Sequence, residues 1–167
     1  MKLTAQEEYG LRCLLQIGRL GDGVSLTIPQ ISQAEGISTD YVAKLMRILR
    51  QGGLVKSVRG QAGGYRLARP ADKIVISDVI LVLGGRLIET DFCERHAGGE
   101  SSCLHSTDCS IRSLWRAVQT AIDQVLSKTT LKDLLCNEQQ MASLVSDLIP
   151  ASNRWMSQSE SLAESAE

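Results

Sequence analysis

The stretch Ser38-Thr39-Asp40-Tyr41-Val42-Ala43-Lys44-Leu45-Met46-Arg47-Ile48-Leu49-Arg50 is stopped by Gly52-Gly53 and followed by Leu54-Val55-Lys56-Ser57-Val58-Arg59. Val42, Leu45, Met46 and Leu49 recur at i, i+3, i+4, i+7, the spacing of one helix face, while Tyr41, Lys44, Arg47 and Arg50 fall on the others. Ser38 or Thr39 caps the helix. Leu54 to Arg59 alternates as a strand, Gly60-Gln61-Ala62-Gly63-Gly64 turns, and Tyr65 to Ala68 returns. Just upstream, Thr27 with Gln30 forms a capping box around Pro29, opening a short helix that ends at Gly36. Two helices joined at a glycine turn, the second amphipathic and basic, form a helix-turn-helix. A basic hairpin directly after it is the wing of a winged helix. The predicted fold class is therefore mainly α with a small β wing.

Charge follows the same outline. From Tyr41 to Ala71 lie seven basic residues (Lys44, Arg47, Arg50, Lys56, Arg59, Arg66, Arg69) and no acidic one; the whole chain is −1, so the remainder carries −8. One basic segment in an acidic chain is a local footprint for a polyanion. Tyr41, Lys44 and Arg47 are candidates for the major groove of double-stranded DNA. Ser38 and Thr39, at the helix N-terminus, are candidates for phosphates, and Lys56, Arg59, Gln61 and Arg66 belong to the wing.

Upstream, Thr4 and Glu7 suggest a capping box for a first helix to Arg19, with Leu11, Leu14, Leu15 and Gly18 on one face; Gly21-Asp22-Gly23 ends it. Downstream, Ser77 is expected to cap a fourth helix, Asp78 to Leu83, closed by Gly84-Gly85. A polar loop with Cys93, Cys103 and Cys109 in C-x9-C-x5-C spacing follows, with His96 and His105 inside it. Such a loop cannot bury itself, and thiolates hold soft metals, so three cysteines leave one ligand to find. Spacing alone does not separate iron from zinc.

From Ser110 a long helix is expected. Ile111, Trp115, Val118, Ile122 and Val125 form a heptad-like seam, widened by Leu114, Ala121 and Leu126. A second copy of the same helix is the simplest cover, which makes the protein a homodimer. Short helices are expected over Thr130 to Leu135 and Gln139 to Ile149, with residues 153–167 loosely ordered. This divides the chain into a winged-helix domain (1–85), a cysteine-rich loop (86–109), a dimerisation helix with a short following helix (110–136) and an acidic, partly disordered tail (137–167). Thr4, Gln6, Glu7 and Glu8 stand where a signal peptide would be apolar, and the apolar run Val79 to Leu83 is far short of a membrane span. A cytoplasmic location follows, where cysteines stay reduced. No Gly-rich phosphate loop, H-E-x-x-H or nucleophile–base pair at recognisable spacing points to an enzyme or a small-molecule substrate.

Tyr9-Gly10-Leu11-Arg12, Ile37-Ser38 with Tyr41, Gly53-Leu54-Val55, and Ser57-Val58-Arg59-Gly60 leading to Gly63-Gly64-Tyr65 resemble the IscR/NsrR/RirA-type regulators of the Rrf-two family over roughly residues 1–135. The resemblance implies a homodimeric winged-helix repressor or activator on a near-palindromic operator, with an iron–sulfur cluster near the first helix of the partner subunit. It makes Cys93, Cys103 and Cys109 the three thiolate ligands and the cluster a sensor of iron–sulfur, redox or nitric-oxide status. The first spacing is four residues longer than the family's usual C-x5-C, and Arg112 stands where cluster-binding IscR-type members have histidine. The fourth ligand stays open between Glu8, from the partner subunit as in NsrR-like relatives, and His96 or His105. The missing histidine and the candidate carboxylate lean to a four-iron cluster over a two-iron one. The alternative is a zinc-stapled or metal-free winged-helix regulator that uses its thiols as a redox switch.

Overall fold

The computed structural model describes residues 3–21, 23–60, 63–86, 103, 105 and 108–148. Chain order is α1 (Ala5–Arg19), α2 (Ile28–Glu35), α3 (Thr39–Gln51), β1 (Val55–Val58), β2 (Gly64–Leu67), a 3-10 turn (Ala71–Lys73), α4 (Ile76–Leu83), α5 (Ser110–Leu126), a second 3-10 turn (Asp133–Leu135) and α6 (Glu138–Leu148). Helices α1 to α4 enclose one core. The hairpin of β1 and β2 projects after α3, which is the winged-helix arrangement.

Local chemistry sets most boundaries. The Glu7 carboxylate accepts from the Thr4 N–H at 2.7 Å and its hydroxyl at 2.9 Å, closing the first turn of α1. Thr27 and Gln30 exchange bonds at the start of α2, and Gly36 ends it in the left-handed conformation at φ 66°. At α3 the two candidate caps resolve to Ser38, whose Oγ accepts from the Tyr41 N–H at 3.3 Å.

The hairpin is antiparallel, with Val55 opposite Leu67, Lys56 opposite Arg66, Ser57 opposite Tyr65 and Val58 opposite Gly64. Leu26, in the loop before α2, adds an isolated bridge to β2 by exchanging backbone bonds with Tyr65 at 2.9 and 2.7 Å. Gly64 is confined to glycine twice over. Its φ is 144°, and a Cβ there would lie 2.5 Å from the Leu26 carbonyl oxygen. The wing is thus fastened to the root of α2.

Three expectations need correction. Helix α4 begins at Ile76 with Val75 as its N-cap, so Ser77 lies inside it and caps nothing. Its start is set from a distance: Ile76 N–H donates to Thr129 O at 2.9 Å, and Leu131 N–H to Ile74 O at 2.8 Å. The same pairing puts Thr130 in a bridge opposite Val75, and the 3-10 turn that follows spans only Asp133–Leu135. Helix α6 (Glu138–Leu148) begins one residue before the expected Gln139, because Asn137 and Gln140 exchange bonds at its start; Ile149 lies outside the described residues.

Val42, Leu45, Met46 and Leu49 of α3 are fully buried against Cys13, Leu14 and Ile17 of α1, Ile31 of α2, Leu54 and Val55, and Ile76, Val79 and Leu83 of α4. Burial of side chains this size contributes about 1.5–3 kcal/mol each. The expected α1 face is shifted by part of a turn: Leu14 and Gly18 are buried, Leu11 and Leu15 half-buried. Helices α1 and α4 meet closely, since a Cβ on Gly10 would lie 2.4 Å from a Leu83 methyl and one on Gly84 would strike the Glu7 carboxylate. The Gln6 amide also donates to Leu83 O. The first turn of α1 is therefore seated on the end of α4, where the cysteine loop departs.

Candidate nucleic-acid interface and cysteine loop

With its apolar face sunk in the core, α3 turns Lys44, Arg47 and Arg50 outward, and Ser38 and Thr39 are exposed at its N-terminus. Lys56 and Arg59 are exposed on the wing and Arg66 is half-buried; Gln61 lies outside the described residues. Lys56 and Arg66 are directly opposite in register. Like charges so placed repel, an arrangement that an external polyanion would relieve. The Arg66 Nε is buried with no hydrogen-bond partner among the described residues. Arg69 has a different task, because it donates to Lys73 O at 2.8 Å and pairs with Asp78 at 3.1 Å. That leaves six cations of the basic segment for a ligand, including Arg50, which the sequence reading placed on the helix but not in the site.

Tyr41 is half-buried. Its ring meets Tyr9 edge-on at 6.1 Å and 82°, with Lys44 Nζ 5.9 Å from its centroid. Arg12 lies 5.2 Å from the centroid of Tyr9 and pairs with Glu35 at 2.5 Å; Gln16 holds the other Glu35 oxygen. Sequence spacing gives no sign of this stack, which joins α1 to α3.

Cys109 is the N-cap of α5, and its Sγ accepts from the Arg112 N–H at 3.4 Å. Cys103 and Cys109 are free thiols, both half-buried, and His105 is exposed. Cys93 and His96 lie outside the described residues, and no group of three metal-ligating side chains is assembled among those described. The donor chemistry present fits a thiolate-held metal group: Cys103 and Cys109 offer two soft sulfur ligands, one of them at the first turn of a helix. Cys13 does not belong to the set. It is fully buried in the core, and burial pushes its thiol up to about 12. Glu8 is exposed on the first turn of α1, and the Arg12 four residues on turns to Glu35.

Along α5, Ile111, Leu114 and Trp115 are exposed, while Val118, Ile122 and Val125 are half-buried. The seam is bare at the end where the loop enters. No helix among the described residues is long and apolar enough to cross a membrane.

Residues 3–137 match the model of the family described as Rrf2, iron-dependent transcriptional regulator. The chain is 35% identical to Protein rrf2 of Nitratidesulfovibrio vulgaris over 135 residues, 81% of this chain and 87% of that one. Among solved structures it is similar to CymR, the global cysteine regulator of B. subtilis, with TM-score 0.66 and 31% identity over 81% of this chain and 96% of that one. It is also similar to T. potens IscR, with TM-score 0.63 and 32% identity over 81% and 86%. The outward basic helix, the wing after it and these likenesses agree: the chain belongs to the Rrf2 family, and is a DNA-binding transcriptional regulator and not an enzyme.

Proposed function

We propose that the protein works as a homodimer that binds a near-palindromic DNA duplex and reports iron–sulfur, redox or nitric-oxide status through an iron–sulfur cluster. Cys93, Cys103 and Cys109 would hold the cluster. Glu8 of the partner subunit is the first candidate for fourth ligand, ahead of His96 and His105, and a four-iron cluster is preferred to a two-iron one. The observation that carries the reading is the place of Cys109, whose sulfur caps α5. Such a cluster supplies a centre whose integrity depends on iron supply and oxidant exposure.

The chain's own residues account for the rest. Because Cys109 belongs both to the loop and to the cap of α5, ordering of the loop and ordering of the first turn of α5 are one event. That turn leads into the exposed Ile111, Leu114 and Trp115. A second copy packed on this seam, together with Val118, Ile122 and Val125, fixes the spacing of the two α3 helices. They then lie roughly 34 Å apart or a multiple of it, one turn of B-DNA per half-site. Ser38 and Thr39 face phosphates, Lys44 and Arg47 the major groove beside Tyr41, and Lys56, Arg59, Gln61 and Arg66 the backbone or minor groove.

A second reading is supported by the likeness to CymR, whose structure scores as well as that of IscR. In it the loop is stapled by zinc or carries no metal, and its thiols are the redox switch. The deciding experiment is the absorption spectrum of anaerobically purified protein, with iron, sulfide and zinc assayed on the same sample. A visible cluster spectrum with iron and sulfide in equal amounts is expected. Colourless protein with one zinc or no metal, even after anaerobic reconstitution, overturns the cluster and leaves the thiol switch.

A further inference from the structure

We infer that Tyr9 and Tyr41 are positioning residues for Lys44, holding its ammonium group in place on the face that α3 offers to DNA. The inference rests on the proposed contact of α3 with DNA and says how that contact is prepared. Four side chains form an unbroken stack: Arg12 over Tyr9 at 5.2 Å, Tyr9 edge-on to Tyr41 at 6.1 Å, and Lys44 over Tyr41 at 5.9 Å. The far end is anchored. Arg12 pairs with Glu35, which also accepts from Gln16, both at 2.5 Å, and the Glu35 side chain is 5% exposed. The near end is open, since Lys44 is exposed.

A lysine on a bare helix face samples many rotamers and surrenders that freedom when it binds. A cation over an aromatic face is attracted to it, so Lys44 is partly confined before DNA arrives. Tyr41 can confine it only while its own ring is fixed, and Tyr9 meets that ring nearly perpendicular at 82°. Tyr41 therefore acts through Lys44, and Tyr9, on α1, acts through Tyr41. The attraction needs a ring and not a hydroxyl, which separates phenylalanine from leucine at both positions.

The test uses the duplex that the wild-type protein selects from a random-sequence pool, with a scrambled duplex as control. Lys44→Gln should weaken binding about tenfold and make the salt dependence shallower by about one. Tyr41→Leu and Tyr9→Leu should each weaken binding to the selected duplex about two- to fivefold, and the two phenylalanine variants should restore it. On the Lys44→Gln background, Tyr9→Leu should change affinity by less than about twofold. If Tyr9→Leu costs the same with lysine or glutamine at position 44, or costs nothing, the positioning role is overturned while the α3 contact stands. If Lys44→Gln itself is silent, the α3 contact fails and the inference falls with it. A measurement on unmutated protein covers variants that do not fold: the ε-methylene protons of Lys44 should resonate upfield of the other lysines under the Tyr41 ring. Coincidence with the other lysines overturns the inference.

Discussion

Val42, Leu45, Met46 and Leu49 of α3 are each 0% exposed, whereas Ile111, Leu114 and Trp115 of α5 are 63%, 56% and 47% exposed. Both helices carry an apolar stripe at helical spacing, and both begin at a side chain that accepts a backbone N–H, Ser38 in one and Cys109 in the other. Periodicity shows which side chains need cover; it does not show whether the same chain supplies it. The winged-helix half covers the α3 stripe itself and turns that helix's cations outward. The α5 half has its stripe bare and its cap on a residue suited to metal, so its completion depends on what else is present.

The comparison can be broken first in the core. Leu45→Ala should cost about 2–5 kcal/mol of folding stability, because a fully enclosed side chain leaves a cavity that neighbours fill poorly. A denaturant midpoint close to wild type would mean that α3 is not the organising helix. Trp115→Ala should do the reverse. Unfolding should change by less than about 0.5 kcal/mol per dilute protomer, while dimer affinity falls by about 2 kcal/mol, near thirtyfold. Sedimentation velocity over a concentration series reads this directly, and an unchanged monomer–dimer equilibrium would remove the seam from the interface.

The two kinds of cysteine sharpen the contrast. Burial raises the Cys13 thiol from 9.0 to about 12. Between these values the unfolded chain releases a proton that the folded chain keeps. The stability is therefore complete below pH 9 and is lost as pH rises toward 12, by at most about 1.4 kcal/mol per pH unit. Cys13→Ala should flatten that slope in denaturation curves taken at several alkaline pH values; an unchanged slope would mean that Cys13 does not cause it. In native protein Cys136, which is exposed, should react with a thiol reagent while Cys13 does not.

The smallest effects concern the caps. Ser38→Ala removes the oxygen that accepts from Tyr41 and should lower stability by about 1 kcal/mol. Cys109→Ser keeps a capping atom and should leave protomer stability within about 0.5 kcal/mol while abolishing metal retention. A large stability loss in the metal-free Cys109→Ser protein would make that residue a structural element first.

How far the sequence could be read depended on the range of the interactions. Thr4 with Glu7, Thr27 with Gln30, and Ser38 with Tyr41 act within four residues, so α1, α2 and α3 begin where local pattern puts them. The start of α4 and the bridge at Thr130 depend on pairing across more than fifty residues, which overrides the cap expected at Ser77. The bridge between Leu26 and Tyr65, the Arg12–Glu35 pair and the stack through Tyr9 are likewise non-local. For the site, charge counting found the outward cations but could not see that Arg69 is occupied or that Tyr41 is half-buried. Cys109 at the start of α5 was legible because a polar loop gives way to a helical period at that residue.

The most direct test titrates the selected duplex with anaerobic protein before and after its metal is removed by a chelator, with Cys109→Ser measured alongside. If the cysteine loop governs the DNA-reading half, affinity should differ at least about tenfold between the two states, equivalent to about 1.4 kcal/mol, and Cys109→Ser should stay at the stripped value. Equal affinity in both states, with folding intact, would show that the two halves of the molecule are independent.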